Sequence, residues 1–467
     1  MSFISTYRWK RQAVKLSNKS SKLADQPWFQ GVLLLACVFA AMLLANLPMT
    51  KELYHGVLHT GLQIHVFGEN VDLSFPRDMT VEKLINDILM VVFFFTVGLE
   101  IRREIAYGEL SSPKKALLPV IAAFGGVLAP ALIFTLINHG TAASSGWGIP
   151  TATDIAFVVC ILSVLGDKVP VGIKVFLTAL AIADDLIAIL VVALFYGSSV
   201  NVPLLLVAAL VCVAAVAMKK LGEKRMAPYL LCALLVWILF YYSGIHATMS
   251  GVVMAFLIPA EPRYSRAVYT KKRDRLLARL ASLNDETTGD PLFTKEEQKE
   301  CLRRLEDVAH GTMGMSYRVE RALSPWVNFL IMPVFALANA GVEVGSLSNL
   351  NIFRSDPVLG SVSMGIFFGL VIGKPLGITL FSWIATKLKV GAMPAGSTWP
   401  MMFAAACLGG IGFTMSIFVD TLSFAGNAPE VTLALRDAGK IAVLISSVAA
   451  AVLGTIMINI VSSAQKK

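Results

Sequence analysis

Residues 170–196 read PVGIKVFLTALAIADDLIAILVVALFY, an apolar run whose only charged residues are Lys174 and the adjacent Asp184 and Asp185. A helix needs roughly 20 mostly apolar residues to cross a bilayer core of about 30 Å. The run is therefore predicted to be a membrane-spanning helix. Ionisable residues inside such a helix are costly, so the two carboxylates mark a functional place by default.

The rest of the chain supports a membrane protein. Of 467 residues, 56% are hydrophobic and only 15% charged, with a mean hydropathy of +0.70. Ordinary soluble domains are nearer 45–50% apolar and about 25% charged, and disordered chains are far less apolar. We predict an all-α polytopic membrane protein whose apolar segments form twelve spans, at 28–47, 80–101, 116–137, 149–165, 170–196, 202–218, 227–243, 246–260, 325–342, 359–385, 397–423 and 433–461.

The positive charges indicate which side each loop faces. Net charge is +9, and 32 of the 40 lysines and arginines fall in segments that share one side if the N-terminus is cytoplasmic. Positive residues are retained in cytoplasmic loops, so both termini are predicted to be cytoplasmic. A nucleic-acid site would not be divided among every second loop. The predicted order is a cytoplasmic segment, eight spans, a charged cytoplasmic loop, four spans and a tail, at 1–27, 28–260, 261–324, 325–461 and 462–467.

Two pieces outside the spans have patterns of their own. Residues 64–75 alternate around a Gly-Glu-Asn turn and are predicted to form a short external β-hairpin. The loop 261–324 is predicted to hold two amphipathic helices, the second with a capping box of Thr294 and Glu297. The first of them has an apolar face made of Leu276, Leu277, Leu280 and Leu283.

The depth of the acidic pair follows from helix geometry. Lys174 marks the cytoplasmic entry of the fifth span, and ten residues at about 1.5 Å each place Asp184 about 15 Å deeper, near the midplane. Successive helical side chains project about 100° apart. Asp184 and Asp185 are therefore expected to meet different partners around one cavity.

The fourth span begins with Gly148-Ile149-Pro150-Thr151-Ala152-Thr153-Asp154. Glycine, proline and two threonines weaken a helix there, and a broken helix is tolerated in a membrane only where it lines protein or water. Freed carbonyls, the Thr153 hydroxyl and the Asp154 carboxylate would supply hard oxygen ligands. This segment predicts a site for a small cation.

The tenth and eleventh spans add a buried cation and a second break. Lys374 lies about 19 Å along the helix from Lys387, which marks the inner end of that span, so it too is near the midplane. Its natural partner is one of the aspartates. Glycines interrupt the eleventh span in Gly409-Gly410-Ile411-Gly412-Phe413-Thr414-Met415-Ser416. Breaks in the middle members of two groups, spans 3–5 and 10–12, indicate the binding site of a transporter.

Together these motifs resemble those of the NhaA family of sodium/proton antiporters, from the first span to about residue 460. The likeness rests on Leu84–Asp87, Val97–Glu104, Thr151–Phe157, Ala181–Asp185, Gly244–Thr248, Phe335–Gly341, Gly373–Gly377 and Gly412–Ser416. It implies inverted three-helix repeats in spans 3–5 and 10–12, with helices 4 and 11 broken. It also implies a transporter, not an enzyme, that needs no cofactor and exchanges sodium or lithium for protons by alternating access.

The resemblance also assigns roles to individual residues. Asp185 is implied to be the principal cation ligand, with Asp184 and Thr153 completing the sodium site. Asp184 is implied to be the proton-coupled partner, which pairs with Lys374 when sodium is absent. Asp154 is implied to offset the positive ends of the half-helices, and Lys374 the negative ends.

A second set is implied to respond to pH at a cytoplasmic funnel. It consists of Glu100, Arg103, His246 and Glu320. For Glu100, Arg103 and His246 a structural role is an equal alternative. The segment around Glu320 departs from the family pattern, because Arg321 and Ser324 stand where familiar members have histidines. The preceding loop is also longer. Both departures argue against pH gating of the familiar kind.

The expected activity is the extrusion of sodium from a bacterial cytoplasm, driven by the inward proton gradient across the inner membrane. Two carboxylates make two protons per sodium plausible, which is electrogenic and contributes to pH and sodium homeostasis. By resemblance, the protein is expected to form a homodimer in the lipid bilayer through the hairpin 64–75. Ligand type alone leaves the choice among sodium, lithium and potassium open.

Two other classes fit the sequence less well. An intramembrane aspartyl protease also uses two buried carboxylates, but it needs a Gly-x-Gly-Asp motif, which the sequence lacks. Its aspartates must also face each other from separate helices, which Asp184 and Asp185 cannot do. A cation channel or an anion symporter on a similar fold is the other alternative. A channel would carry a filter or a charged ring, and a buried lysine–aspartate pair is poorly suited to free conduction.

Overall fold

The structure, a computed structural model, is almost wholly helical. It describes residues 26–61, 64–68, 71–75, 80–197, 201–223, 225–262, 264–283, 296–343, 352–353, 356, 358–424 and 428–465. The basic N-terminal segment, Thr294 of the predicted capping box and the lysines of the tail lie outside these ranges.

Ten helical segments in the described part of the chain are long and apolar enough to cross a membrane. They are Trp28–Asn46, Val81–Tyr107, Ala116–Ile137, Ser144–Lys168, Val171–Phe195, Val202–Lys220, Met226–Ser243, Met315–Asn339, Leu359–Lys387 and Glu430–Gln465. An eleventh span is formed if Trp399–Leu408 and Phe413–Ser423, bent by 54° at their junction, are counted as one. The protein is therefore a multi-pass membrane protein.

In the segment predicted as the eighth span, 246–260, the helix is shorter than a full membrane crossing. This helix runs only from Met249 to Leu257, nine residues, or about 14 Å of rise against a core of about 30 Å. The preceding helix ends at Gly244, whose φ of 85° is left-handed. The helix ends before Ile258, whose φ of −58° and ψ of 136° are not helical. Ile258 precedes Pro259, and a residue before proline disfavours the helical region. An apolar composition alone does not reveal these two stops.

The chain divides into two compact units, the first comprising residues 1–93, 104–199 and 326–467 and the second residues 94–103 and 200–325. Within the second unit, Leu99, Tyr229, Val236 and Met254 are buried in one apolar core.

The charged loop within the second unit folds into helices Arg266–Leu283 and Glu296–His310. The Gln298 amide donates to the Leu283 carbonyl over 3.1 Å, which joins the end of the first helix to the start of the second.

In the first unit, two helices approach each other through glycines. Helix Pro113–Ile137 lies against helix Lys374–Lys387, and a Cβ placed on Gly377 would lie 2.1 Å from the Gly125 carbonyl oxygen. Small residues allow backbones in a membrane to come this close. The contact holds the helix that begins with Lys374 against its neighbour.

Two short strands lie in the segment predicted as a hairpin. Ile64–Gly68 and Val71–Phe75 pair antiparallel, with Ile64 opposite Phe75 and Gly68 opposite Val71.

The other described elements of the first unit are helical. They are helices Lys51–His59 and Val81–Leu84, π-helices Ile85–Leu89, Val327–Ile331 and Gly369–Gly373, and 3₁₀ turns Glu109–Ser111, Ser144–Thr151 and Gly166–Lys168.

Candidate functional site

Two interrupted helices cross in the interior of the first unit. One chain segment runs as a 3₁₀ helix over Ser144–Thr151, is non-helical at 152–154, and continues as helix Ile155–Leu165. The other is interrupted at 409–412. The Thr153 hydroxyl donates to the Gly409 carbonyl over 2.8 Å, and the Asp154 N–H donates to the Ile411 carbonyl over 2.7 Å. Each break thus satisfies backbone groups of the other, which a membrane interior requires.

The Asp154 carboxylate connects the helices that leave the crossing. Its Oδ1 accepts from the N–H groups of Ala156 at 3.1 Å and Phe157 at 3.4 Å, which caps helix Ile155–Leu165. Its Oδ2 accepts from the Thr414 N–H at 3.1 Å and from the Thr414 hydroxyl. Thr414 lies in the first turn of helix Phe413–Ser423. One buried anion therefore lies at the positive ends of two helices.

Lys374 lies beside this crossing and is completely buried. Its Nζ donates to Asp184 Oδ2 over 2.6 Å and also to the Thr153 hydroxyl oxygen. Asp184 is 1% exposed, so both charges of this ion pair are removed from solvent. Asp184 Oδ1 is buried and accepts no hydrogen bond from the described residues. The structure thus brings Lys374 to Asp184, one of the two aspartates that the sequence offered.

The local sequence explains how Lys374 reaches this position. The residues before it, Gly369–Gly373, form a π-helical turn, and Pro375 follows at the start of the next helix. Proline lacks an N–H and cannot make the ordinary helical hydrogen bond. A π turn adds a residue to the helix and turns the following side chains to a new direction.

Asp185 is also buried, with 3% exposure, in helix Val171–Phe195. It acts electrostatically on Lys374 together with Asp184. The predicted group of Asp184, Asp185, Thr153 and Lys374 is therefore assembled in one place. Asp154 lies next to this group in sequence, but its carboxylate is engaged at the helix ends.

The residues implied to respond to pH lie in the second unit. The Arg103 guanidinium forms an ion pair with Glu320 and lies 3.7 Å from Glu100. Glu320 is 6% exposed. The Ser324 hydroxyl donates to the Glu320 carbonyl over 2.7 Å, while Arg321 is exposed. Glu100, Arg103 and Glu320 therefore form one network of charges.

His246 lies apart from them in sequence, in the turn before helix Met249–Leu257, where its carbonyl accepts from the Met249 N–H.

Three polar residues of helix Phe413–Ser423 were not assigned from the sequence. Thr414 and Ser416 belong to the motif Gly412–Ser416, but the hydrogen bond of Thr414 to Asp154 is visible only in the fold. Ser416 and Asp420 are both completely buried. Asp420 lies three residues from the predicted end of its span, where charges are common, so a depth argument passes over it. The available signals were the positions of Thr414 and Ser416 after the glycine break and the charge of Asp420 within an apolar run.

Comparison with known proteins identifies the family. The profile of the family described as Na+/H+ antiporter 1 matches residues 21–458. A Na(+)/H(+) antiporter NhaA of Sulfurimonas denitrificans is 38% identical, covering 97% of this chain and 98% of the relative. Relatives of the same name from Wolinella succinogenes and Helicobacter pylori are 39% and 41% identical, over 94% and 92% of this chain and 92% of each relative.

Interrupted membrane helices that meet at a buried charged site are typical of secondary transporters. The chain belongs to the Na+/H+ antiporter family, whose members are transporters and not enzymes.

Proposed function

We propose that this protein exchanges sodium for protons, and that the exchange takes place at Asp184, Asp185, Thr153 and Lys374. The observation that carries the assignment is the ion pair between Lys374 and Asp184, 2.6 Å long and buried beside the crossing. A buried charge pair is retained at a cost in desolvation free energy, which supports a role other than stability. Membership of the antiporter family supports sodium and protons as the exchanged species.

The mechanism is competition for the same oxygens. Lys374 engages the oxygens of Asp184 and Thr153, and carboxylate and hydroxyl oxygens are also the ligands that a hard cation prefers. Sodium, with Asp185 as its principal ligand, displaces Lys374 and protons from this group. Protonation of the carboxylates on the opposite side of the membrane releases the sodium. Alternating exposure of the site completes the cycle.

The stoichiometry that we propose is two protons per sodium, because two carboxylates take part. The exchange is then electrogenic, and an inward proton gradient extrudes sodium from a bacterial cytoplasm across the inner membrane. Lithium, a hard cation with the same charge, is proposed as an alternative substrate. Measuring currents with sodium, lithium and potassium across a range of pH tests both the charge movement and the selectivity.

The topology that we propose has both termini in the cytoplasm. The distribution of 32 of 40 basic residues supports it. Two termini on the same side require an even number of crossings, and the helices described above give eleven. We therefore propose that the segment around helix Met249–Leu257 is the twelfth crossing, together with its non-helical flanks. We also propose that spans 3–5 and 10–12 are inverted repeats, because the two interrupted segments, Ser144–Lys168 and Trp399–Ser423, are their middle members.

Glu100, Arg103, Glu320 and His246 are proposed to adjust the activity to pH. The ion pair of Arg103 with Glu320 and the 3.7 Å approach of Glu100 support a coupled network. Arg321 and Ser324, in place of histidines, support a pH response of a different strength from that of familiar family members. An Arg103→Ala variant should change the pH profile of exchange more than its maximum rate.

A homodimer is proposed through the hairpin Ile64–Gly68 and Val71–Phe75. A two-stranded sheet leaves edges that can pair with a second copy. Deletion of residues 66–73 should yield monomers that still transport. A deletion variant that remained dimeric in native mass spectrometry would refute this interface.

The decisive test of the site is Asp185→Asn. Everted vesicles with the wild-type protein should show a sodium-induced rise of the fluorescence of a quenched pH dye. Asp185→Asn should abolish it, because the principal cation ligand is lost. Asp167→Asn is the matched control, because Asp167 is exposed just before the same helix. Full exchange by the Asp185→Asn variant would refute the assignment.

A further inference from the structure

A second buried carboxylate lies on helix Phe413–Ser423, away from the exchange site. Asp420 is 0% exposed, and neither of its side-chain oxygens accepts a hydrogen bond from any described residue. An ionised carboxylate in such surroundings is costly unless a donor or a cation satisfies it. Nearby cations or a bound proton can satisfy it, which makes this carboxyl group a candidate for reversible protonation.

The neighbours of Asp420 come from two other parts of the first unit. Helix Pro429–Gln465 passes so close that a Cβ on Gly439 would lie 2.0 Å from Asp420 Oδ1. The same helix places the charges of Lys440, Arg436 and Asp437 near Asp420. The titratable group from the other side is the Tyr196 phenol, which interacts with Asp420 electrostatically.

A row of ionisable groups leads outward from this place. Asp437 is partly buried and interacts electrostatically with Glu343 and His55. Glu343 forms ion pairs with Lys51 over 2.6 Å and with His55 over 3.1 Å. The Lys51 and Glu343 side chains are 46% and 42% exposed. Burial of the ionisable groups thus increases step by step from this surface to Asp420.

A buried polar side chain, Ser416, also lies on the side of Asp420 that faces the crossing. Ser416 lies one helical turn before Asp420 on the same face, and its hydroxyl is buried without a partner among the described residues. A Cβ on Gly412 would lie 2.1 Å from Ser416 Oγ and 3.1 Å from the Ala152 carbonyl oxygen. Ser416 therefore lies at the crossing, one helical turn from Asp420 and beside the residue that precedes Thr153.

We propose that Asp420 is a second proton-binding site, which passes protons between the external solvent and the exchange carboxylates Asp184 and Asp185. A proton from external water binds the ionised Asp420 carboxylate. It then moves by way of Ser416 to an exchange carboxylate, and Asp420 returns to its ionised form. The proposal rests on the proposed exchange function and on the proposed topology, which places the 423 end of this helix outside.

The test compares Asp420→Asn with the wild-type full-length protein in proteoliposomes. Sodium-driven proton flux is followed with a pH dye while the pH on the external face is varied. Binding of sodium is measured separately, as the rise in melting temperature that sodium causes in detergent. Glu430→Gln is the matched control, because it removes an exposed carboxylate near the start of helix Pro429–Gln465.

Asp420→Asn should lower the exchange rate by roughly tenfold or more and flatten its dependence on external pH. It should keep the sodium-induced rise in melting temperature, and Glu430→Gln should match the wild type in every measurement. A wild-type rate and pH profile in Asp420→Asn would overturn the proposal. A loss of the sodium-induced rise would also overturn it, because Asp420 would then act on sodium binding.

If Asp420→Asn does not fold, Ser416→Ala decides the question. It removes only the buried hydroxyl and should also slow exchange without loss of sodium binding, whereas an unchanged rate would overturn the relay. Failure of the wild-type protein to exchange sodium for protons would refute the exchange function itself. That result is distinct from an effect, or a lack of effect, of Asp420→Asn in an active protein.

Discussion

Lys374 Nζ lies 2.6 Å from Asp184 Oδ2, and the two side chains are 0% and 1% exposed. In such a pair each charge depends on the other, because neither can be satisfied by water. Removing one partner of a buried pair typically costs about 3–5 kcal/mol, whereas replacing both with neutral groups costs far less.

Lys374→Met should therefore lower the free energy of unfolding by about 3–5 kcal/mol, because it leaves the Asp184 carboxylate alone in the interior. The double variant Asp184→Asn, Lys374→Met should recover most of that loss. Chemical denaturation in detergent, arranged as a double-mutant cycle, measures the coupling. Additive losses in the double variant would show that the two charges do not stabilise each other.

Thr414→Val tests the bond that joins Asp154 to the second helix. The variant keeps the shape of the side chain but removes the hydroxyl that donates to Asp154 Oδ2. Loss of a hydrogen bond to a charged group should lower the free energy of unfolding by about 1.5–3 kcal/mol.

Thr421→Val is the matched control for this change. The Thr421 hydroxyl donates only to the Phe418 carbonyl of its own helix, so its loss should cost less. Equal losses in both variants, measured by the same denaturation experiment, would contradict a special role for the bond to Asp154.

Gly377→Ala tests the close approach of two helices near Lys374. Its new methyl group would meet the Gly125 carbonyl oxygen at 2.1 Å. The methyl carbon and the carbonyl oxygen are both fixed to helix backbones, so no side-chain rotation relieves the clash. The helices must separate, which should lower stability by about 1–3 kcal/mol and slow exchange, because Lys374 lies one turn away.

The control for this substitution is Gly56→Ala. Gly56 is inside helix Lys51–His59, and a Cβ there would meet no atom within 4 Å from the described residues beyond its chain neighbours and the backbone of its own helix. Alanine there should raise stability slightly, by up to about 1 kcal/mol, because glycine disfavours a helix. Melting temperature and exchange rate of both variants decide the comparison, and a normal rate in Gly377→Ala would show that the approach is not needed.

Tyr54 gives a prediction for alkaline pH. Its hydroxyl donates to the Leu337 carbonyl over 2.6 Å, and burial, aided by the nearby Glu82 charge, raises the pKa of Tyr54 to about 12 from 10.0. A raised tyrosine pKa means that the folded state holds its proton longer than the unfolded state. The stabilising contribution is therefore complete below pH 10 and is lost as the pH rises to about 12.

The absorbance of tyrosinate measures this titration directly. The folded protein in detergent should show a step near pH 12 that is missing from Tyr54→Phe. That variant should also be less sensitive to a rise in pH above 10. A difference spectrum without such a step would contradict the raised pKa.

The sequence predicted much of this molecule because charge and hydropathy are local properties. A charged residue in the middle of an apolar run, such as Asp184 or Lys374, is visible without any alignment or structure. The composition of the chain also predicted the two interruptions, since glycine and proline weaken a helix wherever they occur.

Other features depend on which atoms meet across the fold, and no spacing reveals them. Two aspartates were available to Lys374, and only the packing of helix Lys374–Lys387 against its neighbours chooses Asp184. Asp420 was not selected because it lies three residues from the predicted end of its span, and its close approach to Gly439 of another helix is visible only in the fold. The helix inside the eighth predicted span is shorter than that span because its ends depend on single residues, Gly244 and Pro259.

The carboxylate of Asp154 has a mechanical consequence. It accepts hydrogen bonds from Ala156 and Phe157 on one helix and from Thr414 on the other. Pulling the two helix ends apart would break charge-assisted bonds worth about 1.5–3 kcal/mol each in a place that water does not reach. We therefore expect the ends of these two helices to move together for as long as Asp154 keeps these hydrogen bonds.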